Sequence, residues 1–237
     1  IIGDQSNNLY TVREVGDSIV LTRGQQHWHA ICGNESESDC VGDHDDAMWQ
    51  PLTYDKSGNL KYGVYTAQKV NATGPWYPNS NQQDSINVHT LPAGNYYLTG
   101  DVTIDGTIEI SGDVNLCLNG HTLSTGKVSY AVLYTGNHTL RICDCRTNGC
   151  LQALGNGVTS VIRTDADVSN SNVSGTLYIY GGKLTGGNIS VYMKGEFHMY
   201  GGSITGNGVG VEVTEGGITI GGNANITSNT VQNVNLT

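Results

Sequence analysis

The phrase GEFHMYGGSITGNG, residues 195–208, recurs upstream as GTLYIYGGKLTGGN at 175–188 and more loosely downstream as GGITIGGNANITSN at 216–229. Superposing the three sets Leu177 and Ile179 over Phe197 and Met199, and these over Ile218 and Ile220, at offsets of 20 and 21 residues. A period near twenty marks a stacked repeat, because a unit of that length cannot bury its apolar side alone and must cover it with the next unit. Within each phrase, alternation sends the apolar pair to one face and Thr176, Tyr178 and Tyr180, or Glu196, His198 and Tyr200, to the other, which predicts a half-buried strand. After each Gly pair come Leu184, Ile204 and Ile226. A third apolar run follows: Val191 with Met193, Val209 with Val211 and Val213, or Val231 with Val234 and Leu236. Each unit therefore holds three short strands, and the Gly and Asn between them supply the tight backbone that turns a corner every few residues.

Three strands per unit, each pairing in parallel with its equivalent in the next unit, predict an all-β chain wound as a parallel β-helix. Looser units run back through YYLTGDVTIDGTIEI (96–110), DVNLCLNGHTL (113–123), AVLYT (131–135) and TLRICDC (139–145). Residues 94–237 then make about seven coils, roughly 33 Å of stack at about 4.8 Å per rung. Residues 1–93 are expected to be a small His/Cys-rich module that covers the first coil and hides its strand edge. Trp28, Trp49 and Trp76 are its candidate anchors and GDSIVLT (16–22) is a candidate strand. The C-terminal VQNVNLT offers no comparable cover, so the native protein is expected to continue past Thr237.

Composition agrees with strands and turns rather than helices: 33 glycines are about twice the usual share. Charged residues are 14%, too few for a disordered polyelectrolyte, and the net charge is −10 with no Lys/Arg cluster, which argues against nucleic acid and anionic membrane as partners. No apolar run reaches the roughly 18 residues needed to span a bilayer, so no membrane insertion is expected in this segment. The chain opens on IIGDQSNN without a charged leader and reads as a mature or excised segment.

The densest chemistry is HWHAICGNESESDCVGDHDDAMW, residues 27–49. His29, Cys32, Cys40 and His44, with His27 as a spare imidazole, offer two thiolates and two imidazoles, a set suited to tetrahedral zinc. A closed set of four ligands would be structural and would contribute folding energy. A Cys32–Cys40 disulfide with exposed histidines is the alternative. Asp43, Asp45 and Asp46 lack the order of a calcium loop and read as solvated charge. In the body, Cys117 and Cys143 hold similar places beside Leu116 and Ile142, so they should sit on neighbouring coils as buried thiols or as a pair. Cys143, Cys145 and Cys150 form a CxC-x4-C cluster that lacks a nearby histidine to complete a metal set.

GGSIT-GN, GGKLT-GGN and GGNANIT-SN resemble the GGAI/N-type repeats of polymorphic outer-membrane proteins and bacterial surface adhesins. GNYYLTGDVTI with VNLCLNGHTL is similar to large modular surface proteins of gut Firmicutes, which often carry a His/Cys-rich head of the HxHxxCG type ahead of the helix. The resemblance covers most of the chain. It implies the right-handed winding of pectate-lyase-like β-helices, a secreted or cell-wall-attached location, and membership of a larger multidomain protein.

The function expected is adhesion to, or recognition of, a host protein or glycan, without turnover. Tyr178, Tyr180, His198 and Tyr200 should form an outward aromatic patch suited to sugar faces or a protein interface. Ordinary ladder stabilisation is the plainer account of the same residues. A carbohydrate-active enzyme, either a polysaccharide lyase or a glycoside hydrolase or its remnant, is the second reading, with Asp165 and Asp167 beside Arg163 as its best carboxylate pair. A passive stalk is the third.

Overall fold

A computed structural model describes residues 10–15, 18–23, 49–72, 86–126, 131–154, 160–164 and 173–236. The chain is all-β: strands and turns, with no helix among the described residues. Its body is three ladders of parallel strands. The first runs Gly94–Leu98, Val114–Cys117, Thr139–Cys143 and Gly175–Ile179, and continues into the second halves of Ile189–Met199 and Val209–Ile220. The second is a six-stranded sheet of Val102–Ile104, Thr122–Thr125, Cys150–Ala153, Lys183–Thr185, Ser203–Ile204 and Asn225–Ile226. The third starts at Ile86–Leu91, ahead of residue 94, and passes through Gly106–Ile110, Ala131–Tyr134 and Ser160–Arg163. It then takes the first halves of the two long strands and ends at Gln232–Leu236.

The repeat phrases predicted three separate short strands per unit. In the last units, the third run and the next first run are instead one strand: Ile189–Met199 spans eleven residues and Val209–Ile220 twelve. Gly195 and Gly216 make this possible. They are register partners with φ of 116° and 118°, and a Cβ on Gly195 would lie 2.1 Å from the Gly175 carbonyl oxygen, so only glycine bends here while keeping its ladder hydrogen bonds. A register shift between Met193 and Lys194 adds to the bend. At the other corner, Gly182, Gly202 and Gly222 repeat a positive φ at the second position of each Gly pair.

Parallel pairing stacks like on like. Val114, Leu140, Leu177, Phe197 and Ile218 are successive register partners, as are Leu116, Ile142, Ile179, Met199 and Ile220. The second ladder contributes Val102, Leu123, Leu151, Leu184, Ile204 and Ile226, and the third Ile108, Leu133, Ile162, Val191, Val211 and Val234. These rows merge into one core. Phe197 is fully buried, a burial that contributes about 1.5–3 kcal/mol. On the last rungs Ile220, Val234 and Leu236 are exposed although their partners Met199, Val211 and Val213 are buried, because cover in this architecture comes from the neighbouring rung.

Polar side chains fasten the turns in the same way. Asp101 accepts from Thr122 N–H at 2.8 Å, Asp113 from Thr139 N–H at 2.9 Å, and Asn137 from Ser174 N–H at 2.8 Å. The repeated Asn at the end of the phrase forms a ladder, with Asn207 Nδ2 donating to Asn229 Oδ1 at 2.9 Å and Gly187 N–H donating to Asn207 Oδ1 at 3.1 Å.

At the first rungs Gln50–Tyr54 extends the first ladder, pairing parallel with Gly94–Leu98, while Leu60–Tyr62 folds back antiparallel on it and Gln68–Ala72 lies antiparallel to Ile86–Leu91. Leu52, Leu60 and Ala67 join the core. Tyr10–Val15 and Ser18–Arg23 form a separate two-stranded antiparallel sheet.

Asp105 ties the covering strands to the body. It accepts from Lys69 Nζ at 2.9 Å, Asn87 Nδ2 at 2.8 Å and the buried His89 Nε2 at 2.9 Å. Burial works to raise its pKa, but the hydrogen bonds from Lys69, His89 and Tyr54 and the Lys69 charge outweigh it and hold the carboxyl at about 2. A folded-state pKa below the ordinary 3.8 stabilises the fold above that value, and the gain is lost as pH falls through about 2. Asp105→Asn is therefore expected to lower the melting temperature near pH 6 and to have little effect near pH 2, as read by circular dichroism melts. An equal loss at both pH values would show that the charge is not what matters.

Candidate functional site

The outward face of the first ladder carries the aromatic residues. Inward residues alternate with outward ones, so Tyr178 and Tyr180 flank Ile179 and lie one rung above His198 and Tyr200, which flank Met199. The rung spacing brings the rings face to face along the stack, with centroids 4.6 Å apart at 11° for Tyr178 and His198 and 5.7 Å apart at 21° for Tyr180 and Tyr200. Across each strand the rings lie side by side, 6.1 Å apart for Tyr178 and Tyr180 and 6.4 Å apart for His198 and Tyr200, within 7° of parallel. The four rings thus form a two-by-two array in nearly one orientation.

Each end of the array has a different character. On the rung above, Arg141 is the register partner of Tyr178 and sets its guanidinium 5.3 Å from the ring centroid, a cation–π contact. On the rung below, His198 is followed by Thr219 and Tyr200 lies over Gly221, where an added Cβ would sit 3.5 Å from Tyr200 Cδ1. The array therefore ends in a step one rung deep. Burial pushes the Tyr180 phenol up, against the lowering pull of Arg141, so the hydroxyl is neutral at ordinary pH and can donate. Among the described residues the buried His198 Nδ1 has no hydrogen-bond partner.

Further along the same outward row, Asn115 Nδ2 donates to Asn95 Oδ1 at 2.7 Å. Beside it, Trp49, Cys117 and Cys143 form a second apolar cluster outside the main core, with Tyr97, Cys145 and Tyr180 packed against it. Sequence reasoning missed Arg141 as a member of this site. The repeat period could not reveal it, because Leu140 and Leu177 are register partners 37 residues apart rather than twenty.

His27, His29, Cys32, Cys40 and His44 lie outside the described residues, as do Asp43, Asp45, Asp46, Asp165 and Asp167. Arg163 holds its guanidinium 4.5 Å from the Tyr192 ring centroid on the next rung. Cys117 and Cys143 are register partners. Cys150 sits in the second ladder opposite Thr122 and Lys183, away from Cys143, and burial raises its thiol pKa. No group of three or more His, Cys, Asp or Glu side chains suited to a metal ion occurs among the described residues. Asp101, Asp105 and Asp113 are occupied as turn fasteners or in the Lys69 cluster.

The stacking has an energetic signature of its own. A double-mutant cycle on Tyr178→Ala and His198→Ala is expected to give a coupling of about 0.5–1.5 kcal/mol in denaturant melts, the range of parallel aromatic pairs. A coupling near zero would mean that the rings are neighbours without mutual attraction. Comparison with family models, with curated proteins and with solved structures returns no match for this chain.

Proposed function

We propose that this chain is a right-handed parallel β-helix from a secreted or wall-attached bacterial surface protein, and that it recognises a host protein or glycan through the Tyr178, Tyr180, His198 and Tyr200 array without chemical turnover. Three ladders of like residues at successive rungs support the winding. The general handedness of parallel crossover connections supports its sense. The resemblance of the GGSITGN phrases to surface-adhesin repeats supports the setting.

The observation that carries the binding role is the array itself, four nearly parallel rings on an outward face, flanked by a cation at one end and a step at the other. A pyranose ring would lay its apolar face on the aromatic side chains and turn its hydroxyls toward the polar tips along the row. A protein partner would use the same rings as an interface anchor.

The test is an array of glycans and secreted host proteins probed with the purified chain, followed by the Tyr180→Ala/Tyr200→Ala double variant. The expected result is a captured ligand whose affinity falls at least about tenfold in the folded variant, a change of about 1.4 kcal/mol. Unchanged affinity would remove the array from the binding surface. A folded chain that captures nothing would favour the passive stalk.

The His29, Cys32, Cys40 and His44 set is proposed to hold a structural zinc ion. Metal analysis is expected to find about one zinc per chain, and a chelator is expected to lower the melting temperature. A metal-free, stable protein with a Cys32–Cys40 bridge would overturn this.

A further inference from the structure

The array rests beside a group of thiols whose geometry is unusual for merely buried cysteines. Cys117 and Cys145 bring their Sγ atoms to 3.3 Å across two consecutive units of the stack. A disulfide bond is about 2.05 Å long, so from this contact the two sulfurs need close by only about 1.2 Å. Cys143, the register partner of Cys117, turns its thiol toward the Leu116 carbonyl at 3.8 Å instead.

The backbone around the pair is held from several sides. Asp144 accepts from Gly120 N–H and from Gly149 N–H, both at 2.7 Å, which locks the turn after Cys143 against the turn after Leu118. Leu118 N–H donates to the Cys143 carbonyl at 2.8 Å. The Cys145 thiol lies 3.5 Å from Asn119 Oδ1, and Asn119 itself is anchored through its Nδ2 to the Leu98 carbonyl at 2.9 Å. The two sulfurs are therefore opposed by fixed turns and not by two freely rotating loops.

We propose that Cys117 and Cys145 are a modification site that closes a disulfide between consecutive units when the chain meets a small-molecule disulfide. Cys145 is half-buried and Cys117 fully buried, which sets the order of events. The Cys145 thiolate attacks one sulfur of the small disulfide, forms a mixed disulfide and releases one small thiol. Cys117 then loses its proton and attacks the Cys145 sulfur, closing the intramolecular bond and releasing the second small thiol. The protein gives up two protons and two electrons, and the small disulfide is reduced to two thiols. The bond would cross-link residues 28 apart in sequence, in the cluster against which Tyr180 packs.

The experiment treats the purified 237-residue chain with oxidised glutathione, alkylates remaining thiols, and maps cysteine peptides by mass spectrometry without reduction. The expected result is a Cys117–Cys145 linked peptide, together with a melting temperature about 5–10 °C above that of the reduced chain. Cys143→Ser should keep both effects, while Cys117→Ser and Cys145→Ser should each lose them. Alkylation of both Cys117 and Cys145 in the oxidised, folded chain would overturn the proposal. So would a peptide joining either residue to Cys32, Cys40, Cys143 or Cys150. Wild-type peptide mapping decides the matter even if a serine variant fails to fold.

Discussion

The parallel backbone ladder is the interaction on which the rest depends. Each rung satisfies the N–H and C=O groups of its neighbour at a spacing of about 4.8 Å, and a slip of one residue would turn every apolar side chain out of the core. With register fixed, residues at equivalent positions lie directly over one another. Leu140, Leu177 and Phe197 become one row of the interior; Tyr178 and His198 become a stack; Cys117 and Cys143 become neighbours. The chemistry of each surface row is thus a consequence of backbone pairing before any pairwise attraction between side chains is considered.

The polar residues solve the problem that this architecture creates at its corners. A chain that turns every few residues leaves N–H groups at each bend without a strand partner, and such groups are costly when buried. Asp101, Asp113, Asn137 and Asp144 accept them from the adjacent turn, and Asn207 and Asn229 repeat the device in a ladder. Several of these are carboxylates that accept from backbone rather than from Lys or Arg. An acidic chain with few basic residues can therefore still be well satisfied, and the charge of −10 reflects turn chemistry in part.

The same stacking rule gives one part of the surface a character of its own. Aromatic rings one rung apart attract one another modestly wherever they occur in a sheet. Here two stacks adjoin, Arg141 closes one end and glycine and threonine open the other, so the rings border a shaped edge on the protein surface. A repeat built for length can thus present a single differentiated site where its register places unlike residues next to a uniform row.

The repeat phrases by themselves determined that the chain is all-β, which residues face inward from 175 to 220, and that Tyr178 and Tyr180 would meet His198 and Tyr200. Alternation and a near-constant period carry that information locally. They did not determine the fusion of two predicted strands into Ile189–Met199, because a bend that preserves pairing depends on the Gly175 carbonyl of the previous rung. Arg141 over Tyr178, the Lys69–Asp105–His89 cluster and the approach of Cys145 to Cys117 were equally invisible. Each joins residues whose separation, 37, 36 or 28 positions, follows no repeat. Units of unequal length leave their turns to be positioned by hydrogen bonds to the next unit, so those contacts exist only once the stack has formed.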